Sequence, residues 1–161
     1  MKIGILGSCT VGQILGIGFI KHGHQVKIGT NHEDKLIDWL GRVGSNGSVG
    51  SFAEAAGFGE IIVLVVKGPA ALSVLGVAEQ NNLKNKTIID ATNPIDDAAP
   101  VNGVIQFFTV QNSSLMEELQ KKYPQAKFVK AFNSVGSALM VNPDFGGQKP
   151  TMFIAGNNDD T

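Results

Sequence analysis

The sequence predicts an α/β fold with a doubly wound, mostly parallel sheet. Short apolar segments alternate with helix-forming segments along the chain, which is the order expected of parallel strands covered by helices on both faces. Residues 60–66, Glu-Ile-Ile-Val-Leu-Val-Val, are typical of a strand buried on both faces. A glycine-rich turn at residues 7–12 follows the first apolar segment. We therefore expect residues 1–161 to form one domain around one sheet.

The first thirty residues indicate a strand, a turn, a helix and a second strand. Residues 2–6 are mostly apolar, and residues 25–29 form a second strand after Gly23, which can close the helix in a left-handed conformation. The helix between them should give one apolar face to the sheet. We expect that face to contain Val11, Ile14, Leu15, Phe19 and Ile20.

The turn between the first strand and the first helix predicts the chemistry. Gly7 allows a tight reversal, and Gly12 allows the helix to pack close to the strands. A pyrophosphate could then bind the free N–H groups at the helix N-terminus. Cys9 replaces the middle glycine of the usual Gly-x-Gly-x-x-Gly pattern, and a packing turn without a ligand is the alternative. The predicted dinucleotide-binding residues of this turn are Gly7, Ser8, Cys9, Thr10, Val11 and Gly12.

The end of the second strand bears on the choice between NADP and NAD. An NAD enzyme usually carries a carboxylate there for the ribose hydroxyls, whereas an NADP enzyme carries groups that bind a 2′-phosphate. Thr30, Asn31, His32 and Lys35 can all donate hydrogen bonds to a phosphate. NADP is therefore preferred, with NAD left open because Glu33 and Asp34 follow closely. A solvated helix start is the alternative interpretation of this segment.

The remaining elements continue the alternation. Apolar spacing and flanking glycine, proline or capping residues predict the bounds of each helix and strand. Predicted helices cover 34–43, 51–56, 69–78, 113–122 and a short stretch at 134–141; predicted strands cover 48–51, 60–66, 86–90, 127–132 and 151–156; residues 96–109 form a loop.

Ligands bind beyond the carboxyl ends of the strands in such sheets, so residues 66–69, 91–94 and 131–134 should surround a nicotinamide. Asn93 and Asn133 are the candidates that face a hydride acceptor. A plain turn at Asn93 and a helix cap at Asn133 remain open alternatives. The predicted cofactor contacts from the first two segments are Val66, Lys67, Pro69, Ala91, Thr92, Asn93 and Pro94.

Composition limits the partners. The formal net charge is −1 and only 17% of residues are charged, so the chain offers no basic field for nucleic acid or an anionic membrane. The low charge favours a homo-oligomer. Cys9 is the only cysteine, which suits a reducing cytoplasm. We expect no metal site, because Gly23 and the following strand should point His22, His24 and His32 apart.

The chain resembles the NADP-dependent deazaflavin (coenzyme F420) oxidoreductase family, which has a Rossmann-type NAD(P)-binding domain. The resemblance covers essentially the whole chain. It rests on Lys-Ile-Gly-Ile-Leu-Gly at 2–7 with Val-Gly at 11–12, Gly-His-x-Val at 23–26, Asp-Ala-Thr-Asn-Pro at 90–94, Val-Lys-Ala-Phe-Asn at 129–133 and Met-Phe-Ile-Ala-Gly at 152–156.

The resemblance implies that residues 7–12 hold the pyrophosphate and that Thr30 and Lys35 hold the 2′-phosphate. Family members often place arginine after the serine or threonine, where this chain has Asn31 and His32. Asn133 would face the acceptor, with flavin or deazaflavin as a possible co-substrate. Residues 157–161 resemble the start of another helix, and the family carries a further segment there that helps close the acceptor site.

The leading hypothesis is hydride transfer between NADPH and a flavin-like or other small acceptor, which needs no protein nucleophile. A dehydrogenase or reductase of a small carbonyl or imine is the main alternative, and it would need a proton donor among Lys67, Thr92, Asn93 and Ser134. A non-catalytic NADP sensor that acts through a partner is a third hypothesis.

Overall fold

The computed structural model describes residues 1–157 and contains one six-stranded sheet. All neighbouring strands pair in parallel, in the order β3-β2-β1-β4-β5-β6. The predicted doubly wound parallel sheet is therefore confirmed. The strands are β1 (Lys2–Leu6), β2 (Gln25–Gly29), β3 (Gly47–Gly50), β4 (Ile61–Leu64), β5 (Thr87–Asp90) and β6 (Lys127–Lys130).

Helices connect the strands and cover both faces of the sheet. Short 3-10 turns precede or follow several of them, at Glu33–Leu36, Gly44–Asn46, Gly68–Ala70 and Ser137–Leu139. Among the α-helices of residues 1–157, α5 was not predicted; it is a single turn that follows α4 closely. The helices are α1 (Thr10–Lys21), α2 (Ile37–Val43), α3 (Phe52–Phe58), α4 (Ala71–Val77), α5 (Gln80–Leu83) and α6 (Leu115–Lys122).

Two apolar cores form because successive strand residues point to opposite faces. On β4, Ile62 and Leu64 pack with α3, α4 and α6, while Val63 packs on the other face with Leu15 and Trp39. These side chains are less than 3% exposed. Burial of each such side chain stabilises the fold by about 1.5–3 kcal/mol relative to exposure.

The strand order creates a switch point between β1 and β4. From β1 the chain continues outward through β2 and β3 on one side, and β4, β5 and β6 extend the sheet on the other. The loops that leave β1 and β4 therefore diverge at their carboxyl ends and leave a crevice between them. This crevice is where the sequence analysis placed the ligand.

The buried face of α1 differs from the predicted one. The residues that it buries are Gly12, Leu15, Gly16 and Gly18, and Ile14 belongs to neither core. Small residues let the helix approach its neighbours: Trp39 covers Gly16, and Val141 covers Gly18. The predicted large side chains Val11, Phe19 and Ile20 are only partly buried, at the margin of the core.

The predicted last strand at 151–156 is wrong. Only Ala155 pairs, in an antiparallel bridge with Lys130 on the edge strand β6. Phe153 and Ile154 are 76% and 66% exposed, so no layer covers the apolar run that suggested a buried strand. Residues 158–161, where a further helix was expected to start, lie outside the described residues.

None of the helices described within residues 1–157 combines the length and the apolar character needed to cross a membrane.

Candidate dinucleotide site

The turn after β1 has the geometry that its glycines predicted. Gly7 has a φ of +126°, which side chains other than glycine rarely tolerate, and its N–H donates to the carbonyl of Gly29 at 3.0 Å. A Cβ at Gly7 would lie 2.6 Å from the carbonyl oxygen of Val65. A Cβ at Gly12 would collide with the carbonyl of Gly7. The turn therefore packs so closely against α1 and the end of β4 that neither glycine has room for a side chain.

The N-terminus of α1 is left open by its own residues. Cys9 is the N-cap, but its side chain makes no capping hydrogen bond, and the first turn carries no acidic residue. Its thiol instead donates to the carbonyl of Val65 at 3.0 Å. By contrast, Ser51 and Ser114 begin α3 and α6 with complete capping boxes. The amides of α1 and the positive end of its dipole therefore remain available to an anion.

One cavity of about 450 Å³ lies beyond the ends of β1, β4 and β5. It joins the glycine turn with two of the three segments predicted to surround a nicotinamide. The walls next to the sheet are largely apolar, and polar groups lie at the rim. The residues that line it are Cys9, Val11, Val65, Val66, Lys67, Gly68, Ala91, Thr92, Asn93, Ile95, Asp96 and Asp97.

The third segment, 131–134, contacts the cavity wall through a side-chain hydrogen bond. The side-chain amide of Asn93 donates to the backbone carbonyl of Asn133 at 3.2 Å. Phe132, just before it, has a φ of +67°, an uncommon conformation for an aromatic residue. This backbone conformation turns the chain immediately after β6. Asn133 does not line the cavity itself, so its contact with an acceptor stays a prediction.

Hydrogen bonds to Asp90 hold the part of the cavity wall that follows β5, residues 91–93. The carboxylate of Asp90, which is fully buried, accepts bonds from the N–H of Thr92 at 2.9 Å and from its hydroxyl at 2.7 Å. Lys130 donates to the same carboxylate at 2.9 Å. Asp90 therefore combines hydrogen bonds to Thr92 with an ion pair that sequence reasoning did not foresee.

The loop after β2 presents exposed polar residues around one buried hydroxyl. Thr30 is 5% exposed; its hydroxyl lies 2.8 Å from that of Ser8 and accepts the N–H of His32 at 3.0 Å. As placed here, Thr30 links this loop to the glycine turn. A direct bond from its hydroxyl to a 2′-phosphate stays a prediction. The side chains of Asn31, His32 and Lys35 are exposed.

An exposed ion pair crosses the rim of the cavity. Lys67 Nζ lies 2.7 Å from Asp97 Oδ1, and both side chains are more than 60% exposed. The hydrogen bond that Lys67 donates to Asp97, and then the charge of Asp97, raise the pKa of Lys67. Because solvent screens such a pair, it adds little stability. Asp97 comes from the predicted loop at residues 96–109, whose part in the site the sequence did not indicate.

Not every predicted contact residue lines this cavity. Pro69 and Pro94 do not line it, whereas Gly68 does, beneath the carbonyl of Asn93 and the ring of Phe108. Val65, Ile95 and Asp96 also line it and were not singled out. Val65 is the next-to-last residue of the apolar run 60–66, so its place near a strand end was the available signal.

Within residues 1–157, no three His, Cys, Asp or Glu side chains come together as a metal ion would require. Two of the histidines have other neighbours. His22 lies 3.3 Å from the side chain of Asn142, and His24 packs edge-on against Phe19.

Comparison with known proteins identifies the family of this chain. Residues 2–94 match the family described as NADP oxidoreductase, coenzyme F420-dependent. The chain belongs to this family of NADP-dependent oxidoreductases. The matched residues include the glycine turn, the loop after β2 and two segments that line the cavity. A search of curated proteins gives no match.

Solved structures agree with this F420-dependent oxidoreductase assignment. A protein from Arthrobacter sp. FB24, provisionally described as an F420-dependent NADP-reductase, is 30% identical with a TM-score of 0.89. The match covers 99% of this chain and 75% of that one. A protein of undescribed function from Sinorhizobium meliloti, SMa0349, is 23% identical with a TM-score of 0.81 over the same shares of each chain.

A reductive aminase from Aspergillus terreus shares the fold at a greater distance. It is 15% identical, with a TM-score of 0.64, over 86% of this chain and 43% of that one.

Proposed function

We propose that this chain binds NADPH across the crevice between β1 and β4 and transfers its hydride to a flavin-like acceptor. The observation that carries the proposal is the switch-point cavity. It is bounded by the uncapped N-terminus of α1 and by a turn whose glycines have no room for a side chain. These features fit a pyrophosphate, which binds to backbone amides and a helix dipole. NADPH, when bound, supplies the hydride.

The protein's own groups would bind and orient the two halves of the coenzyme. Residues 7–12 would hold the pyrophosphate, and the exposed Asn31, His32 and Lys35 would meet a 2′-phosphate. The residues 66–68 and 91–93 would form the pocket for the nicotinamide ring, with apolar walls that exclude water. Fixing two planar rings in contact is the main requirement for hydride transfer.

The hydrogen bonding of the cavity favours an acceptor that needs no proton from the protein. Three of the potential proton donors along the wall are already engaged: Cys9 with Val65, Lys67 with Asp97 and Thr92 with Asp90. A carbonyl or imine substrate would need one of these donors to be released. This is why the flavin-like acceptor leads, although a reductive aminase from Aspergillus terreus with a similar fold was solved with NADPH.

Stopped-flow absorbance at the NADPH band, with FMN added to the NADPH complex, tests the proposal. We expect single-turnover oxidation of NADPH, faster than with NADH, because of the polar loop at residues 30–35. NADPH that binds without being oxidised would support the sensor hypothesis instead. Turnover of a small ketone or imine without flavin, abolished when Lys67 or Ser134 is altered, would support the dehydrogenase.

The remaining parts of the proposal are a small-molecule acceptor, assembly as a homo-oligomer and a cytoplasmic location. The apolar surface described below supports the oligomer, and the single free thiol of Cys9 suits a reducing compartment.

A further inference from the structure

A buried ion pair lies beneath the cavity without lining it. Asp90 and Lys130 are register partners at the carboxyl ends of β5 and β6, and their side chains are 0% and 18% exposed. Taking two charges out of water costs energy that their attraction offsets only in part. Apolar side chains would fill this place with less desolvation. The pair therefore calls for an explanation other than stability.

The pair holds three polar groups of one cavity residue. Asp90 Oδ1 accepts both the N–H and the hydroxyl of Thr92, and Lys130 Nζ donates to the carbonyl oxygen of Thr92 as well as to Asp90 Oδ2. Thr92 is 2% exposed, so water does not replace these bonds. Both sides of its peptide backbone are therefore fixed by a single pair of charges.

The residues on either side of Thr92 form the cavity wall. Ala91 and Asn93 both line the cavity, and the carbonyl of Asn93 lies against Gly68 from the neighbouring segment. A rotation of the peptide units around Thr92 would move this wall. The glycine turn and the loop after β2 lie on the opposite side of the switch point and share no hydrogen bond with Lys130.

We infer that Lys130 is a positioning residue for the nicotinamide half of the coenzyme and acts through Thr92 and Asp90. This inference rests on the proposed function. Loss of the ammonium releases the Thr92 carbonyl and leaves the buried charge of Asp90 unpaired, so the wall at 91–93 shifts. The adenosine half, which binds elsewhere, keeps its site.

The test compares two ligands in Lys130→Met, Lys130→Arg and a control, Lys122→Met, at an exposed lysine of α6. Binding of 2′,5′-ADP reports on the adenosine half alone, while NADPH binding and the emission of bound NADPH report on the nicotinamide. We expect Lys130→Met to bind 2′,5′-ADP within about twofold of the unaltered chain and NADPH about tenfold more weakly, with reduced emission. Lys130→Arg should recover part of both NADPH signals, and Lys122→Met should match the unaltered chain.

Equal losses of both ligands in Lys130→Met would show a merely structural role, and unchanged NADPH binding and emission would overturn the inference directly. If Lys130→Met does not fold, the double variant Asp90→Asn, Lys130→Met removes both buried charges, and it should fold yet still lose the advantage of NADPH over 2′,5′-ADP. An unaltered chain that binds neither ligand would overturn the proposed function and this inference together. If the unaltered chain binds both ligands and Lys130→Met binds them equally well, this inference alone would be overturned.

Discussion

At the scale of single residues, the neighbours of a glycine decide what it does. Gly12 and Gly41 both lie within helices, but a Cβ at Gly12 would collide with the carbonyl of Gly7, whereas a Cβ at Gly41 would point into open space. The sequence could assign importance to Gly12 from its spacing in the turn. It gave no reason to treat Gly41 as replaceable.

Gly12→Ala should destabilise the fold by about 1–3 kcal/mol, because the rigid turn cannot move aside, and should abolish detectable NADPH binding. Gly41→Ala should instead be neutral or stabilising by up to about 1 kcal/mol, as expected for an open helical position. Urea unfolding and a fluorescence titration with NADPH measure both effects. Equal behaviour of the two variants would contradict the close approach described here.

The exposed loop after β2 is where discrimination between NADP and NAD should be lost. Lys35→Met removes a charge from this loop, so NADPH should bind about threefold to tenfold more weakly while NADH binding stays unchanged. Parallel titrations with both coenzymes measure the difference. Lys84→Met, at an exposed lysine far along the chain, serves as the control. Equal weakening for NADPH and NADH would remove Lys35 from the phosphate site.

Residue types in the sequence named possible donors but could not say which were already engaged. Thr30 and Lys67 were both predicted to contact the coenzyme. In the structure, the hydroxyl of Thr30 is hydrogen-bonded to the N–H of His32 and to the hydroxyl of Ser8. Lys67 pairs with Asp97. Asp97 lies thirty residues away in a loop without regular spacing, so only the folded chain reveals that pairing.

At the scale of an element, α6 is stabilised by an interaction that depends on pH. The carboxylate of Glu117 accepts hydrogen bonds from the side chain and then the backbone N–H of Ser114, and these bonds lower the pKa of Glu117 below its ordinary value of 4.5. The folded-state pKa is thus below that of the unfolded chain. The stabilisation is therefore present above pH 4.5 and is lost as the pH falls through the folded-state pKa.

Glu117→Gln should lower the thermal midpoint at pH 7 and have a smaller effect at pH 3, because protonation of the carboxyl weakens the charged capping bonds. Thermal unfolding followed by circular dichroism at the two pH values measures this. Glu118→Gln is a suitable control, because Glu118 shares the helix end without accepting the N–H of Ser114. A difference of the same size at both pH values would rule out the charged capping bond as the cause.

Elements with strong local patterns were predicted well, and those set by their surroundings were not. α6 has an amphipathic pattern and a capping sequence, and the structure reproduces both. The segment 151–156 is largely apolar, yet its one bridge is formed by Ala155 with the edge strand β6. Apolar character alone does not tell whether a second layer will cover a segment.

At the scale of the whole molecule, apolar surface gathers in one stretch. Seven large apolar side chains that are at least 38% exposed belong to residues 95–110. Backbone hydrogen bonds from Asp96 to Gln106 and from Phe108 to Pro94 hold this stretch as an irregular hairpin beside the cavity. Such a patch is larger than isolated surface residues would give and favours association. The seven are Ile95, Val101, Val104, Ile105, Phe107, Phe108 and Val110.

We expect light scattering after size-exclusion chromatography to report a homo-oligomer for the unaltered chain. Replacing Phe107 and Val110 together by serine should shift it toward a monomer, because both side chains are at least 60% exposed and would be covered by a second copy. Val77→Ser alters a comparably exposed side chain on α4 and should leave the assembly unchanged. A monomeric unaltered chain would refute the prediction.

The sequence by itself determined the parallel sheet, the order of most elements and the place of the glycine turn, because backbone geometry and apolar spacing act over short stretches of chain. Tertiary structure alone decided which polar groups are engaged, which apolar runs remain uncovered, and that Lys130 comes to lie beneath Thr92. Those outcomes depend on contacts between residues far apart in sequence, which no local pattern encodes.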